Sequence, residues 1–150
     1  MWIDLLEMSE YAYFYCKKIE DIPEFRDLIK HPYWAYKYCK CIKNRLEIAK
    51  RIVCSEWAFR YCMDIRDRPE VRKYITESGN AFNYCKDVRD DPEVAKNITD
   101  SMWASWYCRD IKDRPEVRKH ITDSIWAYNY CKDVKDDPDV RKYIKDLLCG

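Results

Sequence analysis

Nine cysteines, two histidines and a near-even mix of 28 basic and 27 acidic side chains are the groups here that could do chemistry. Thiols invite metal ligation or redox exchange. Yet no Cys-x-x-Cys pair occurs, the closest spacing is Cys39-x-Cys41, and only His31 and His120 could add imidazole. The paired ligands of a zinc or disulfide-exchange motif are missing. Six cysteines instead recur every 23 residues: Cys16, Cys39, Cys62, Cys85, Cys108 and Cys131. Beside bulky tyrosines they read as small apolar filler. Stacked helices stand about 8–10 Å apart, too far for a disulfide, whose Cα atoms lie within about 7 Å. Cys41, Cys54 and Cys149 fall outside the ladder and are candidate reactive thiols.

Carboxylates are equally periodic, in one row at Asp64, Asp87, Asp110 and Asp133 and another at Asp67, Asp90, Asp113 and Asp136. Acid–base catalysis needs two carboxyls in environments that separate their pKa values. A pair repeated in every unit has no such singular setting. His120 replaces the Tyr74 and Tyr143 of other units and is singular, but it lacks a singular partner. There is no H-E-x-x-H, Walker loop, nucleophile elbow or G-x-G-x-x-G, and the two glycines, Gly79 and Gly150, cannot build a phosphate cradle. The expectation is a non-enzyme without metal or cofactor.

Two ladders could bind rather than react. Lys50, Lys73, Lys96, Lys119 and Lys142, with Arg72, Arg118 and Arg141, could follow a phosphate backbone. Their rungs, about 8–10 Å apart, are wider than the roughly 3.4 Å rise per nucleotide, and the acidic rows lie turns away. Compensation between neighbouring units is the reading favoured over a polyanion. Trp34, Trp57, Trp103 and Trp126 could be stacking platforms, but each flanks a small Ala and reads as groove filler. Trp106 occupies a slot filled elsewhere by Lys37, Arg60, Asn83 and Asn129, and Phe14 holds it in the first unit. That slot is off the core stripe. Trp106 and Phe14 are therefore candidate exposed protein contacts, as are Leu147 and Leu148 beyond the last full helix.

The elements that must position these residues follow from the same period. Ala58, Tyr61, Cys62 and Ile65 stand at i, i+3, i+4 and i+7, one face of an α-helix, and the set recurs in six copies. Ser55, Ser78, Ser101 and Ser124 precede this helix as N-cap candidates. Asp67-Arg68-Pro69-Glu70 then reads as a capping box with Pro in the first turn, and Val71 and Ile75 continue a second, short helix. Repeat two departs, with Leu46 for the Pro and Pro32 for the Ser, so its junction is expected to bend or cap differently. Residues 2–9 align with a short helix. The chain is read as an all-α solenoid: a half repeat over 1–9, repeats over about 10–31, 32–54, 55–77, 78–100, 101–123 and 124–146, and a tail at 147–150.

The Trp-Ala-x-x-Tyr-Cys helix and the Asp-x-Pro-Glu-Val-Arg-Lys-x-Ile helix resemble short two-helix repeats of uncharacterised phage, giant-virus and bacterial proteins. The resemblance spans nearly the whole chain. It implies the repeat architecture and carries no chemistry. Tetratricopeptide, ankyrin and HEAT units are all longer.

A net charge of +1 gives no long-range field to steer nucleic acid. The start of the chain has acids within its apolar stretch and no basic leader, so no signal peptide is expected, and no apolar run is long enough to span a membrane. Many thiols without such a signal suggest a reducing cytoplasm, or a host's cytoplasm for a viral protein. The function expected is a protein-interaction module: adaptor, scaffold or small inhibitor. The alternatives are polyanion binding along the Lys/Arg ladder, and structural self-assembly through the C-terminal end.

Overall fold

The computed structural model describes residues 4–145, which form an all-α chain of helical repeats without a strand. Long helices alternate with one-turn helices. The long ones are α1 (Leu5–Lys18), α3 (Pro32–Cys41), α5 (Ser55–Asp64), α7 (Ser78–Asp87), α9 (Ser101–Asp110) and α11 (Ser124–Asp133). The short ones are α2 (Pro23–Arg26), α4 (Leu46–Ala49), α6 (Pro69–Arg72), α8 (Pro92–Ala95), α10 (Pro115–Arg118) and α12 (Pro138–Arg141). The chain divides into two compact units, Met1–Ile75 and Thr76–Gly150. In the first, α1 packs on α3 and α3 on α5, each long helix holding its own short one. In the second, α7 packs on α9 and α9 on α11 in the same way.

Local sequence explains where each element stops. A β-branched Ile or Val, such as Ile65 or Ile111, is the C-cap of a long helix, and its N–H donates to the Tyr four residues back. The next N–H shares that carbonyl, as Lys112 N does with Tyr107 O at 3.1 Å. Proline then opens the short helix, where its missing N–H leaves nothing unpaired. An Ile-Thr pair such as Ile98-Thr99 follows and ends the regular helix.

The N-terminus differs from the expected half repeat. Helix α1 runs unbroken from Leu5 through Ser9 into the first long helix. Leu6-Glu7-Met8 replaces the β-branched linker of other units with strong helix formers, so nothing interrupts the turn. Trp2, the other residue of that expected half repeat, lies outside the described residues.

The core is the predicted stripe. Ala12, Ala35, Ala58, Ala81, Ala104 and Ala127 are fully buried, as are Tyr38, Tyr61, Tyr84, Tyr107 and Tyr130. Ile29, Ile52, Ile75, Ile98 and Ile121, just after the short helices, close the bottom of the layer. Small Ala lets successive long helices approach, and the tyrosine rings fill the space this opens.

The serines are not N-caps. The caps are the residues before them: Asp100 accepts from Met102 N at 3.0 Å, and Asp123 from Ile125 N at 3.0 Å. The hydroxyls of Ser9, Ser78, Ser101 and Ser124 reach instead to the linker that follows the next short helix. Ser101 Oγ accepts from Thr122 N and Asp123 N, both at 3.0 Å. Ser78 Oγ does the same for Thr99 and Asp100, and Ser9 Oγ for Lys30 and His31. In repeat two, where Pro32 removes the hydroxyl, His31 Nδ1 caps α3 by accepting from Tyr33 N at 3.3 Å. Arg51 there binds back to the carbonyls of Arg26 (2.7 Å) and Ile29 (2.8 Å).

We expect Ser101→Ala to leave two linker N–H groups without their acceptor and to cost about 1–3 kcal/mol. A urea midpoint unchanged from wild type would contradict the bracket.

Candidate functional site

Within each unit, the polar groups that might have done chemistry are engaged between repeats. The buried tyrosines of α3, α5, α9 and α11 donate their hydroxyls to the linker of the preceding repeat: Tyr38 to Asp21 at 2.8 Å, Tyr61 to Asn44 at 2.7 Å, Tyr107 to Asp90 at 2.5 Å and Tyr130 to Asp113 at 3.1 Å. An arginine closes two of these contacts into triads. Arg114 donates to both Tyr107 Oη and Asp90 at 2.6 Å. Arg45 donates to Tyr38 Oη at 2.9 Å and to Asp21 at 3.3 Å.

Asp90 and Asp113 are therefore struts to the next repeat and not caps of the short helices. The residue after each is the true N-cap, and where it is Asp91 or Asp137 its side chain accepts from Glu93 N or Asp139 N at 2.9 Å. Both the Tyr ladder and the Asp ladder are visible in the sequence. What was missed is their pairing at an offset of 17 residues, which is not a helical period.

Charge follows the geometry. Burial alone would raise the pKa of Asp90, but the Tyr107 hydroxyl and the Arg114 guanidinium hold it below the usual carboxylate range. Asp21 and Asp113 are lowered in the same manner, by Tyr38 and Arg26 in one case and by Lys135 and Arg118 in the other. Burial together with the facing carboxylate pushes Tyr38 up to about 12.

Four thiols of the cysteine ladder are shifted by the same burial. Burial raises Cys39 and Cys85 to about 11 and Cys62 and Cys108 to about 12. The thiols of Cys39 and Cys85 instead donate weakly, at 3.8 Å, to the carbonyl that begins the following short helix. Among the described residues no three His, Cys, Asp or Glu side chains gather where they could hold a metal ion. Cys41 is exposed and Cys54 half-buried; Cys149 lies outside the described residues.

The candidate polyanion ladder is split. Lys50, Lys73, Lys96, Lys119 and Lys142 are all exposed. The arginines are not free: Arg72 pairs with Asp67 at 2.7 Å, Arg118 with Asp113 at 2.7 Å, and Arg141 with Asp136 at 2.6 Å. Lys96 pairs with Glu93 on its own helix, and Lys73 and Lys142 lie over the rings of Tyr74 and Tyr143. A groove of about 360 Å³ between α10 and α12 brings Lys119 and Lys142 together, but Asp139 shares it.

Trp106 requires a correction. Its ring is half-buried, edge-on to Trp103 at 5.1 Å and to Trp126 at 5.9 Å. One turn beyond Trp103 on α9, it covers the seam with α11, so the slot that polar residues leave open becomes part of the packing. Gly79 helps by lacking a side chain: a Cβ there would stand 3.1 Å from the Trp103 ring. Trp34, Trp57, Trp103 and Trp126 do fill the seams; Trp34 lies 5.0 Å from Tyr13, and Trp57 lies 5.3 Å from Tyr36.

Phe14 stays 38% exposed and belongs to an open apolar groove of about 270 Å³ with Tyr11, Tyr15, Lys18 and Ile19. Tyr11 and Ile19, at 65% and 71% exposed, were missed because each occupies a slot that is covered in other repeats. Leu147 and Leu148 lie outside the described residues. No helix among the described residues is long and apolar enough to cross a membrane. No family model, curated protein or solved structure matches the chain.

Two outcomes test the site's physics. Asp21, Asp90 and Asp113 have folded-state pKa values below their unfolded ones, so their contribution is complete above about pH 4 and is lost as pH falls through the folded values. The thiols and Tyr38 are raised, so their contribution is complete below about pH 8.5 and 10 respectively and is lost as pH rises through 11–12. Denaturant midpoints should therefore be flat from about pH 5 to 8 and fall on both sides; a midpoint at pH 3 equal to that at pH 7 would refute the acid limb. Trp106→Ala should lower stability by about 1–3 kcal/mol, visible as a lower melting temperature. An unchanged melting temperature would return Trp106 to the surface.

Proposed function

We propose that this chain is a non-catalytic protein-interaction module that binds through the exposed face of α1. The observation that carries this reading is the gathering of Tyr11, Phe14, Tyr15 and Ile19 around one open groove. Large exposed apolar groups side by side are where soluble proteins dock partners. The groove's aromatic lining favours a polypeptide, and Lys18 at its edge supplies the one cation. The polar groups of the repeats are engaged with neighbouring repeats, so binding falls to side chains left over from folding.

A second reading, contact with a polyanion, is favoured by one observation. The five ladder lysines are exposed, and Lys50 and Lys119 have no ion pair among the described residues. The acids on the same short helices, Glu47 and Glu116, oppose it.

A photo-cross-linking amino acid at position 14 tests the first reading in cells. The expected adduct is a polypeptide that disappears in the Tyr11→Arg background. An adduct released by nuclease, or none, would defeat it. Labelled duplex DNA addresses the second: ladder binding should weaken by orders of magnitude between roughly 50 and 200 mM salt, and Lys119→Glu with Lys142→Glu should abolish it.

A further inference from the structure

Two seams between repeats, α1 with α3 and α7 with α9, each combine two complementary halves. The earlier helix offers the aromatic ring that follows its Ala and the carboxylate of its linker. The later helix offers a ring four residues before its core tyrosine and the hydroxyl of that tyrosine. Tyr13 thus meets Trp34 at 5.0 Å, Tyr36 meets Trp57 at 5.3 Å, and Phe82 meets Trp103 at 5.2 Å. In the same seams Tyr38 reaches Asp21, and in later ones Tyr107 reaches Asp90 and Tyr130 reaches Asp113.

The first and last long helices each keep one half unused. Tyr11 stands in the Trp34 slot and is 65% exposed. Tyr15 stands in the Tyr38 slot; its ring stacks on Phe25 at 3.6 Å, and no carboxylate among the described residues takes its hydroxyl. At the other end Tyr128 stands in the slot of Tyr13 and Phe82 and is 47% exposed, with Ile125 beside it at 59%. Asp136 stands in the Asp113 slot, and it receives Arg141 but no tyrosine. The missing half of each end is present on the other.

We propose that the occupant of the α1 groove is a second copy of this chain, bound head to tail, with Tyr11 against Tyr128 and Tyr15 donating to Asp136. The inference rests on the interaction reading above and names its partner. Such a contact is heterologous: it leaves a free head and a free tail, to which further copies can add. A stack whose terminal faces are apolar rather than polar has this tendency built in.

One residue opposes it and makes the register testable. Lys40 pairs with Asp64 at 2.9 Å across an interior seam. In the head-to-tail seam the matching positions are Lys132 and Lys18, a like-charged pair. Association should therefore strengthen, not weaken, as salt screens that repulsion. Lys18→Glu should tighten it about tenfold, the scale of one well-placed opposite-charge contact replacing a repulsive one.

Sedimentation velocity over a range of concentrations reads all of this. Wild type should grow in mass with concentration, more so in moderate salt. Tyr11→Arg and Tyr128→Arg, both at exposed positions, should each stay monomeric with unchanged helical circular dichroism. Their equimolar mixture should form dimers and stop, because only one intact head and one intact tail remain. Monomer at every concentration for both wild type and Lys18→Glu would overturn the proposal. So would unaltered growth of either arginine variant. A foreign polypeptide cross-linked at position 14 alongside a purely monomeric protein would end self-assembly while leaving the interaction reading standing; no adduct together with monomer would end both.

Discussion

A helix of four residues cannot hold itself in water, because one turn fixes its backbone for too few hydrogen bonds. Half the helices here are of that length, from Pro23–Arg26 to Pro138–Arg141. Their stability is borrowed from the seams between long helices, where Ala admits close approach and a Tyr fills the space. Burying such a ring contributes on the order of 2 kcal/mol, and the unit repeats it at every seam. The burial of the ladder thiols and the engagement of the aspartates follow from packing small bricks against one another.

Burying a tyrosine brings its hydroxyl into a place where water cannot serve it, and a buried hydroxyl without a partner is costly. For Tyr38 and Tyr107 the linker carboxylate supplies that partner, and an arginine from the next repeat neutralises it. In Tyr107–Asp90–Arg114 each group satisfies the other two. The serine brackets do for linker N–H groups what the triads do for side chains. Because these bonds join successive repeats, the seams are specific in register as well as apolar.

That specificity constrains function. Charges and polar groups paired across seams are held in place by folding, and the proposed recognition therefore rests on apolar surface that the seams leave exposed. The α1 face leaves Tyr11, Phe14 and Ile19 open around one groove.

The 23-residue period, the all-α class and the Ala–Tyr–Cys stripe could be read from residue order alone, because each is a property of one helix and its own face. The pairing of Tyr107 with Asp90, the diversion of Ser101 from its own helix end to the next linker, and the burial of Trp106 against Trp126 could not. Those contacts join residues 17 to 22 apart, or different helices, through the angle and offset at which successive helices pack. Helical periodicity says which face points inward but not which atom of the next repeat waits there. Only tertiary structure decides that, and with it which faces of the first and last helices remain uncovered.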